Sequence, residues 1–342
     1  MGNLDASTAA FADAASLSPS DPLSISADTL GKAIQPESRW WGLDVTAGVE
    51  FDTNPTAIGN TRIRGEDGLA DSIKRDSDVL GAFSIDTYYD LVDWEETTFR
   101  VGYSGFLSVH DDTREVNQFT HMGWADLGFI QGPLRLGVRV DITTTDLDLE
   151  EEYREMRRVS PSITYTNDDW GVTQVLYQYH DFDYRFAVVD DSLDPDGELH
   201  VVGISQFFYV SAPLTYIQVG IAYENADTQG TEFDFDGVDV SLGAGIELPY
   251  DLRAGARVSY THRQGRHKST LGEFGIIGSD TDAPLDLPKR KDNIANLKVD
   301  LTVPVAQYLE FAIRGSFTFT DSNIAVYDFN RHVVGSYFTF TF

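Results

Sequence analysis

The sequence has 342 residues, and its 25 lysines and arginines against 55 aspartates and glutamates give a formal net charge of −30. This balance argues against nucleic-acid binding, which needs clustered basic side chains, and the absence of cysteine excludes disulfides, thiolate metal sites and a cysteine nucleophile. No stretch approaches the roughly 18 consecutive apolar residues of a membrane-spanning helix.

The first 38 residues differ from the rest of the chain. They are rich in alanine, serine, aspartate and leucine, and Ala9–Ala15 predicts a short helix that ends before Pro19. A basic stretch followed by an apolar core, as in a signal peptide, is not present. We predict two parts: an N-terminal periplasmic segment over residues 1–38, which is a flexible leader, a plug or the residue of an upstream domain, and a barrel over residues 39–342.

From Trp41 onward, apolar and polar residues alternate. Trp41, Leu43 and Val45 share one parity, whereas Asp44 and Thr46 share the other. A period of two residues places these sets on opposite faces of a β-strand. The alternation recurs most clearly over residues 79–91, 99–110, 134–142, 238–248, 309–320 and 334–342. The parity of the eleventh predicted strand is also clear, and in the remaining strands the sequence leaves it ambiguous.

Connections of two lengths separate the predicted strands. Short turns are predicted near residues 92–96, 131–133, 167–169, 211–214, 249–251 and 304–307. Longer polar loops are predicted near residues 53–77, 110–118, 144–153, 181–198, 225–233, 263–290 and 321–330. Six turns and seven loops make thirteen connections and therefore fourteen strands. Short periplasmic turns, long extracellular loops and an even strand number are typical of bacterial outer-membrane barrels.

The predicted fold class is therefore all-β: a 14-stranded antiparallel transmembrane β-barrel in the outer membrane of a Gram-negative bacterium. A soluble β-sandwich also alternates, but strands of about 10–14 residues exceed the usual length in globular sheets and suit a tilted membrane crossing. The last strand ends at Phe342, which resembles the aromatic sorting signal of such barrels and is predicted to act as an assembly signal. The expected partners are outer-membrane lipid, lipopolysaccharide, the barrel-assembly machinery, and small solutes or ions; the oligomeric state is left open.

Charged residues on the polar parity are predicted to line the lumen. The basic ones are Arg100, Arg135, Arg139, Arg158, Arg253, Arg257, Lys298 and Arg314, and the acidic ones are Asp44, Glu50, Asp52, Asp78, Asp86 and Asp126. Opposed charges across a water-filled constriction orient dipolar solutes and set ion selectivity. We therefore predict a porin-like channel for the passive passage of ions or small polar solutes. The alternative is that these groups pair with one another and fill a narrow barrel.

The loops carry further charge without a recognisable catalytic or metal motif. Basic side chains that could bind an anionic solute or lipopolysaccharide phosphates, or simply be solvated, are Arg62, Arg64, Lys74, Arg75, Arg263, Arg266, Lys289 and Arg290. The acidic loops 144–153 and 181–198 are predicted to bind calcium or magnesium at most loosely, because neither Asp-x-Asp-Gly sequence, at 194–197 and 234–237, has a glutamate at the twelfth position of a calcium loop. We predict no cofactor and no enzymatic activity, since the histidines are scattered and no hydrolase or phosphate-binding motif occurs.

Two passages resemble a known family. Gly48–Pro55 opens the barrel, and Asp321–Arg331 precedes the final strand. Both are similar to the barrel of proteins that join periplasmic tetratricopeptide repeats to an outer-membrane barrel, among them the surface lipoprotein assembly modifiers. The resemblance implies a barrel that serves protein or lipoprotein export, an alternative to the channel alongside structural anchorage. The repeats that recruit a substrate in that family are not found in this sequence.

Overall fold

The protein is described by a computed structural model over residues 40–57, 77–148, 151–167, 170–185, 190–212, 215–271 and 286–342. The predictions made for residues 1–38, and for the basic residues Arg62, Arg64, Lys74 and Arg75, lie outside these ranges. Among the described residues, no helix is long and apolar enough to cross a lipid bilayer.

Fourteen strands form one closed antiparallel barrel. They are β1 (Trp41–Asp52), β2 (Asp78–Asp93), β3 (Thr97–His110), β4 (Gln118–Gln131), β5 (Leu134–Leu147), β6 (Glu151–Asn167), β7 (Gly171–Tyr184), β8 (Gly197–Ala212), β9 (Thr215–Thr228), β10 (Phe235–Leu248), β11 (Leu252–Lys268), β12 (Lys289–Ala306), β13 (Leu309–Ser322) and β14 (Phe329–Thr341). Each strand pairs with the next along the chain, and β1 pairs with β14. The predicted fold class and strand number are confirmed.

The alternation of the sequence becomes an inner and an outer face. On β2, Val79 and Phe83 point outward and are exposed, whereas Leu80 and Ala82 point inward and are buried. Large apolar side chains cover the outer face of the other strands in the same way. An outer face of this kind suits hydrocarbon, and the closed ladder pairs backbone N–H and C=O groups that no lipid tail would satisfy.

The two ends of the barrel differ in their connections. At one end, here called the turn end, two or three residues join each pair of strands; the other end, the loop end, carries most of the longer connections. The connection between β5 and β6 spans only residues 148–150, so the long loop predicted over 144–153 is wrong, because both strands extend into it. Likewise, Arg263 and Arg266 lie on β11, and Lys289 and Arg290 lie on β12.

The barrel closes between its first and last strands. The ladder runs from Asp44 opposite Thr341 to Asp52 opposite Val333. Beyond it, the backbone N–H of Phe342 donates to the carbonyl of Leu43 at 2.9 Å. The terminal residue thus takes part in closing the sheet, while its role as an assembly signal stays a prediction.

One ladder is interrupted in the middle of the barrel. Between β6 and β7 the pairing runs to Val159 opposite Tyr179 and resumes at Ser162 opposite Leu176, in the same register. Pro161 lies in this gap, and proline has no backbone N–H to donate. The interruption separates β6 from β7 over two residues without shifting the strands.

Candidate functional site

The lumen is the candidate functional site. The strand register places all fourteen predicted lumen residues on the inward-facing parity, because the pairings that begin with Asp44 opposite Asp86 continue strand by strand around the barrel. The fold therefore places all fourteen side chains on the inner face of the barrel. Their action on a permeating solute stays a prediction.

Arginines and carboxylates of neighbouring strands pair on the wall formed by β2–β6. Arg100 donates from Nε and Nη2 to the two carboxylate oxygens of Asp90 at 2.6 and 2.8 Å, and its guanidinium lies 3.9 Å from the ring centre of Tyr88. Arg135 forms an ion pair with Asp126. These contacts join β3 to β2 and β5 to β4, so each arginine fixes one strand against its neighbour.

The most deeply buried of these pairs joins β5 to β6. The Nε of Arg158 lies 2.9 Å from the Oδ2 atom of Asp141, and both side chains are almost fully buried. The Nε of Arg139 lies 3.9 Å from the same oxygen, and its guanidinium lies 4.5 Å from the ring centre of Trp124. One carboxylate thus balances two guanidinium groups in a site with little water.

The second basic sector, on β11–β13, is arranged differently. Arg253 on β11 donates to Glu310 on β13 at 2.6 Å and so reaches across β12. Arg257 lies opposite Lys298 in the register and donates to the hydroxyl of Ser241 at 3.4 Å. Two basic residues are thus neighbours in the register of this sector.

The sector continues onto β14. The guanidinium of Arg314 lies opposite Asp300 in the register and 4.9 Å from the ring centre of Tyr337. The arginine is therefore positioned between an acidic neighbour and an aromatic face.

The predicted acidic residues on β1 have different neighbours. Asp44 and Asp86 lie opposite each other on β1 and β2. Glu50 accepts a hydrogen bond from the Tyr337 hydroxyl at 2.8 Å, and Asp52 pairs with Arg331 at 2.6 Å. These two carboxylates join β1 to β14 and so reinforce the closure of the barrel.

Asp78 serves the loop end. Its carboxylate accepts from the backbone N–H groups of Thr113 at 2.9 Å and Asp112 at 3.2 Å, and from the Thr113 hydroxyl. Asp78 therefore fastens the connection between β3 and β4, and its buried carboxylate is largely occupied by the loop.

The sequence reasoning missed several inward-facing side chains. Trp124 is one, because the parity of β4 was ambiguous, and the aromatic rings of Tyr88 and Tyr337 also face inward beside arginines. Arg263, which was expected in a loop, pairs with Glu224 at 2.9 Å. The signal that identifies them is the inward parity of the neighbouring strand, which requires the register.

On the wall formed by β6–β9, the inward-facing ion pairs described above, Arg158 with Asp141 and Glu224 with Arg263, lie on the first and last strands. We call the central part of this wall the inner patch. None of the residues in the inner patch is more than 5 % exposed. It consists of Thr164, Val172, Gln174, Leu176, Gln178, Val201, Ser205, Phe207, Gln218 and Ala222. By contrast, Asp86 on β2 and Phe106 on β3 also face inward but are exposed. The inner patch is therefore more completely buried than the inward positions of Asp86 and Phe106.

Four connections at the loop end are tied together around Glu232. Its carboxylate accepts from the Ser269 hydroxyl at 3.0 Å, from the Thr270 backbone N–H at 2.8 Å and from the Tyr327 hydroxyl at 3.2 Å. Burial raises the pKa of Tyr327 above its ordinary range, so this hydroxyl stays protonated and donates. The backbone N–H of Glu232 donates to the carbonyl of Ser192 at 3.1 Å. We call this the Glu232 cluster; it links the connections that follow β7, β9, β11 and β13.

Neither a metal nor a histidine site is assembled in the described part of the chain. Within it, no group of three or more histidine, aspartate or glutamate side chains is placed to hold a metal ion. His180 is buried on the inner face, whereas Asp181 and Asp183 lie on the outward parity, so the three do not form one cluster. Loose binding of calcium or magnesium by the acidic loops stays a prediction.

The fold and its inward charges define an outer-membrane β-barrel with a mixed-charge lumen. The family model described as "Surface lipoprotein assembly modifier" matches residues 165–342, just over half of the chain and all strands from β7 to β14. The chain belongs to this family, which confirms the predicted resemblance. The matched residues include the passage Asp321–Arg331, whereas Gly48–Pro55 lies outside them.

Solved structures with a similar fold have little sequence in common with this chain. A bacterial polysaccharide outer membrane secretin shares 9 % identity over 88 % of this chain and 98 % of its own, with a TM-score of 0.44. OprB of Pseudomonas putida shares 10 % identity over 88 % of this chain and 94 % of its own, with a TM-score of 0.44. OccAB4 of Acinetobacter baumannii shares 12 % identity over 90 % of this chain and its whole length, with a TM-score of 0.41. No curated protein matches the sequence.

Proposed function

We propose that this barrel is the membrane-spanning part of a system that delivers lipoproteins to the surface of a Gram-negative cell. The observation that carries the proposal is the match to the surface lipoprotein assembly modifier family across β7–β14. In this arrangement the turn end faces the periplasm and the loop end faces the medium, the orientation that outer-membrane barrels adopt.

The lumen chemistry supports a polypeptide substrate better than a single ionic solute. Its wall combines paired charges on β2–β6, the uncharged inner patch of amides, hydroxyls and apolar groups within β6–β9, and basic side chains on β11–β13. A general ion filter relies on rings of like charge. A wall that offers charged, hydrogen-bonding and apolar contacts suits a polypeptide substrate of mixed composition.

Delivery is tested in the bacterium that carries the gene. Its lipoproteins are labelled metabolically with an alkyne analogue of palmitate, and those accessible to protease on intact cells are compared with and without the protein. We expect at least one labelled band to lose its protease sensitivity when the gene is deleted and to regain it on complementation. An identical surface pattern in both strains would contradict the proposal.

The second candidate is the passive channel for ions or small polar solutes. It is favoured by the exposed, inward-facing residue Asp86 and by the basic residues Arg257 and Lys298, which are neighbours in the register. Charges of opposite sign on separate sectors of a wet lumen create a transverse field that acts on permeating ions.

Planar-bilayer recording separates the two candidates. A channel is expected to give stable single-channel steps whose anion-to-cation permeability ratio falls on Arg257→Glu. The matched control is Arg157→Glu, the same charge reversal on the outward face of β6, where the arginine is exposed. Silence of the wild-type barrel, or equal shifts for both variants, would count against a channel and leave delivery untouched.

A further inference from the structure

The seam between β6 and β7 is interrupted in the middle of the barrel. Pairing stops at Val159 opposite Tyr179 and resumes at Ser162 opposite Leu176, so two pairs of the ladder are missing without a change of register. In the other ladders of the described chain, the interruptions lie near strand ends and shift the register. The β6–β7 interruption therefore separates two strands that are otherwise aligned.

The gap has a local cause in the sequence of β6. Pro161 has no backbone N–H to donate, and proline is normally confined to edge strands and bulges. On the other side of β6 it still pairs with Val138 of β5, so the β5–β6 ladder continues past it. Because a bilayer offers no water to satisfy an unpaired backbone, a proline at this position weakens one seam of the barrel selectively.

Side chains join the two strands on either side of the gap. Toward the loop end, Arg157 lies 3.9 Å from the carboxylate of Asp181. Toward the turn end, Gln174 donates to the Thr164 hydroxyl at 3.3 Å. At the gap itself, the buried hydroxyl of Ser160 finds no partner in the described part of the chain. The seam is thus held above and below a weak centre.

The gap faces the half of the bilayer nearer the loop end. On the outward face of β6, the charged Arg157 marks the upper limit of an apolar stretch that runs from Val159 to Tyr165. Pro161 is four residues further along the strand, which places it about 10 Å deeper in the membrane for a tilted strand. Since the hydrocarbon core is about 30 Å thick, the gap lies in its outer half when the loop end faces the medium.

On its inner side, the gap adjoins the apolar part of the lumen wall. Leu176 lies at the edge of the gap on β7, and Val201 on β8 pairs with Gln178, the inward residue of β7 at the gap. The next inward positions, Gly203 on β8 and Ala222 on β9, are small. Apolar side chains gain free energy by contact with hydrocarbon. This wall therefore suits an acyl chain better than the paired charges of β2–β6 do.

We propose that the β6–β7 seam is a lateral exit, through which the acyl chains of a lipoprotein pass from the lumen into the outer leaflet. The proposal rests on lipoprotein delivery as the proposed function. Acyl chains that left the barrel at its loop end would have to cross water, which the hydrophobic effect opposes. The seam offers them an apolar route, while the polypeptide leaves the barrel at the loop end.

A disulfide across the gap tests the exit, because the chain has no cysteine of its own. Ser160→Cys with Gln178→Cys places two thiols on facing inward positions of the seam. The matched control is Thr46→Cys with Ser84→Cys, an inward pair in the uninterrupted ladder of β1 and β2. Facing residues of antiparallel strands have Cα atoms about 4.5–5.5 Å apart, within the range that a disulfide spans.

Locking the seam is expected to block delivery reversibly. Lipoproteins labelled with the palmitate analogue are expected to stay protected from added protease when the 160–178 disulfide is formed, and to reach the surface again after reduction. The 46–84 disulfide is expected to leave delivery unchanged in both states. Continued delivery through a fully cross-linked 160–178 variant would overturn the exit. So would an equal loss for the control pair, because it would assign the effect to the stiffness of the whole barrel.

The route of the acyl chains is read separately. Lipoproteins are labelled with a photoreactive palmitate, and adducts between a whole lipoprotein and the barrel are digested and mapped by mass spectrometry. Because the reactive group is on the acyl chain, we expect the cross-linked peptides to come from β6–β8 and to include the one that contains Leu176. Adducts confined to other strands would contradict an exit at this seam.

Opening of the seam is also measured without any lipoprotein, on the purified barrel in phospholipid vesicles. We expect amide hydrogen exchange to be about tenfold faster over Val175–Tyr179 of β7 than over Ile85–Tyr89 of β2, because unpaired amides are less protected. Equal exchange in the two segments would refute the weak seam and leave lipoprotein delivery untouched. Conversely, an unchanged surface pattern in the gene deletion would refute delivery, whatever the exchange rates show about the seam.

Discussion

The inner wall of β2–β5 and that of β7–β9 face the same lumen but are held together in different ways. On the first, Arg100 and Arg135 pair with carboxylates of the neighbouring strand, and part of the surface remains wet. On the second, Val201, Ser205 and Phe207 lie on the inward face of β8, carry no charge and are buried.

The difference has a physical basis. A paired arginine tolerates nearby water and fixes two strands through directed hydrogen bonds, so a charged wall is stable when the lumen is open. An apolar and amide wall gains its stability from burial and therefore depends on whatever covers it. The charged wall is therefore held by directed contacts between strands, whereas the uncharged wall is held by the burial of its side chains.

The largest expected effect comes from removing the buried carboxylate of Asp141 on the charged wall. Asp141→Ala leaves Arg158 buried without its partner, and we expect a loss of about 4 kcal/mol in the free energy of unfolding. Urea unfolding of the barrel in phospholipid vesicles, followed by tryptophan fluorescence, measures it. The control Arg157→Ala, on the exposed outer face, is expected to change nothing measurable. A small loss for Asp141→Ala would mean that the charged wall does not rely on its pairs.

Two phenylalanines provide a direct comparison of the walls. Phe207 lies in the inner patch and is fully buried, whereas Phe106 points into the same lumen from β3 and is 36 % exposed. Phe207→Ala is expected to cost about 3 kcal/mol, and Phe106→Ala about 1 kcal/mol, because only the first leaves a cavity in packed surroundings. Equal losses in the same unfolding experiment would show that the two walls are equally covered.

The same contrast explains what the sequence could predict of the fold. On β1, β5 and β13 the inward residues are charged, small or hydroxylated and the outward ones apolar, so the alternation alone assigns the faces. On β7 and β8, Val172, Leu176 and Val201 point inward and are as apolar as their outward neighbours. The alternation of polar and apolar residues is therefore weak on these strands, because a buried wall does not have to be polar.

The candidate site was predictable as a set of residues but not as a set of contacts. Arg158 and Asp141 are 17 positions apart, and Arg331 and Asp52 are 279 apart. Which charges meet depends on the register across strands, and a shift of one residue would turn a side chain to the other face. The inner patch was not predicted, because its residues resemble an ordinary core and carry no motif.

A substitution in the Glu232 cluster tests whether contacts between connections at the loop end stabilise the barrel there. Glu232→Gln removes the charge from hydrogen bonds to Ser269, Thr270 and Tyr327, and we expect a local loss of about 2 kcal/mol. This corresponds to roughly 30-fold faster amide hydrogen exchange at Thr270, read by mass spectrometry. Glu115→Gln, an exposed glutamate in the connection after β3, is the control. Unchanged exchange at Thr270 would show that the cluster does not hold these connections.

The smallest expected effect lies where the two walls meet, at the ladder gap between β6 and β7. Pro161→Val supplies the missing N–H and a side chain suited to the outer face, so the free energy of unfolding is expected to rise by about 1 kcal/mol. The gain is modest because valine also restores freedom to the unfolded chain. Pro133→Val, in the turn between β4 and β5, is the control for this change in the freedom of the unfolded chain. If Pro161→Val stabilises the barrel but slows lipoprotein delivery in cells, the junction between the charged and the uncharged wall must open during transport. If it stabilises the barrel and delivery is unaffected, the ladder gap is a local defect and the two walls move as one.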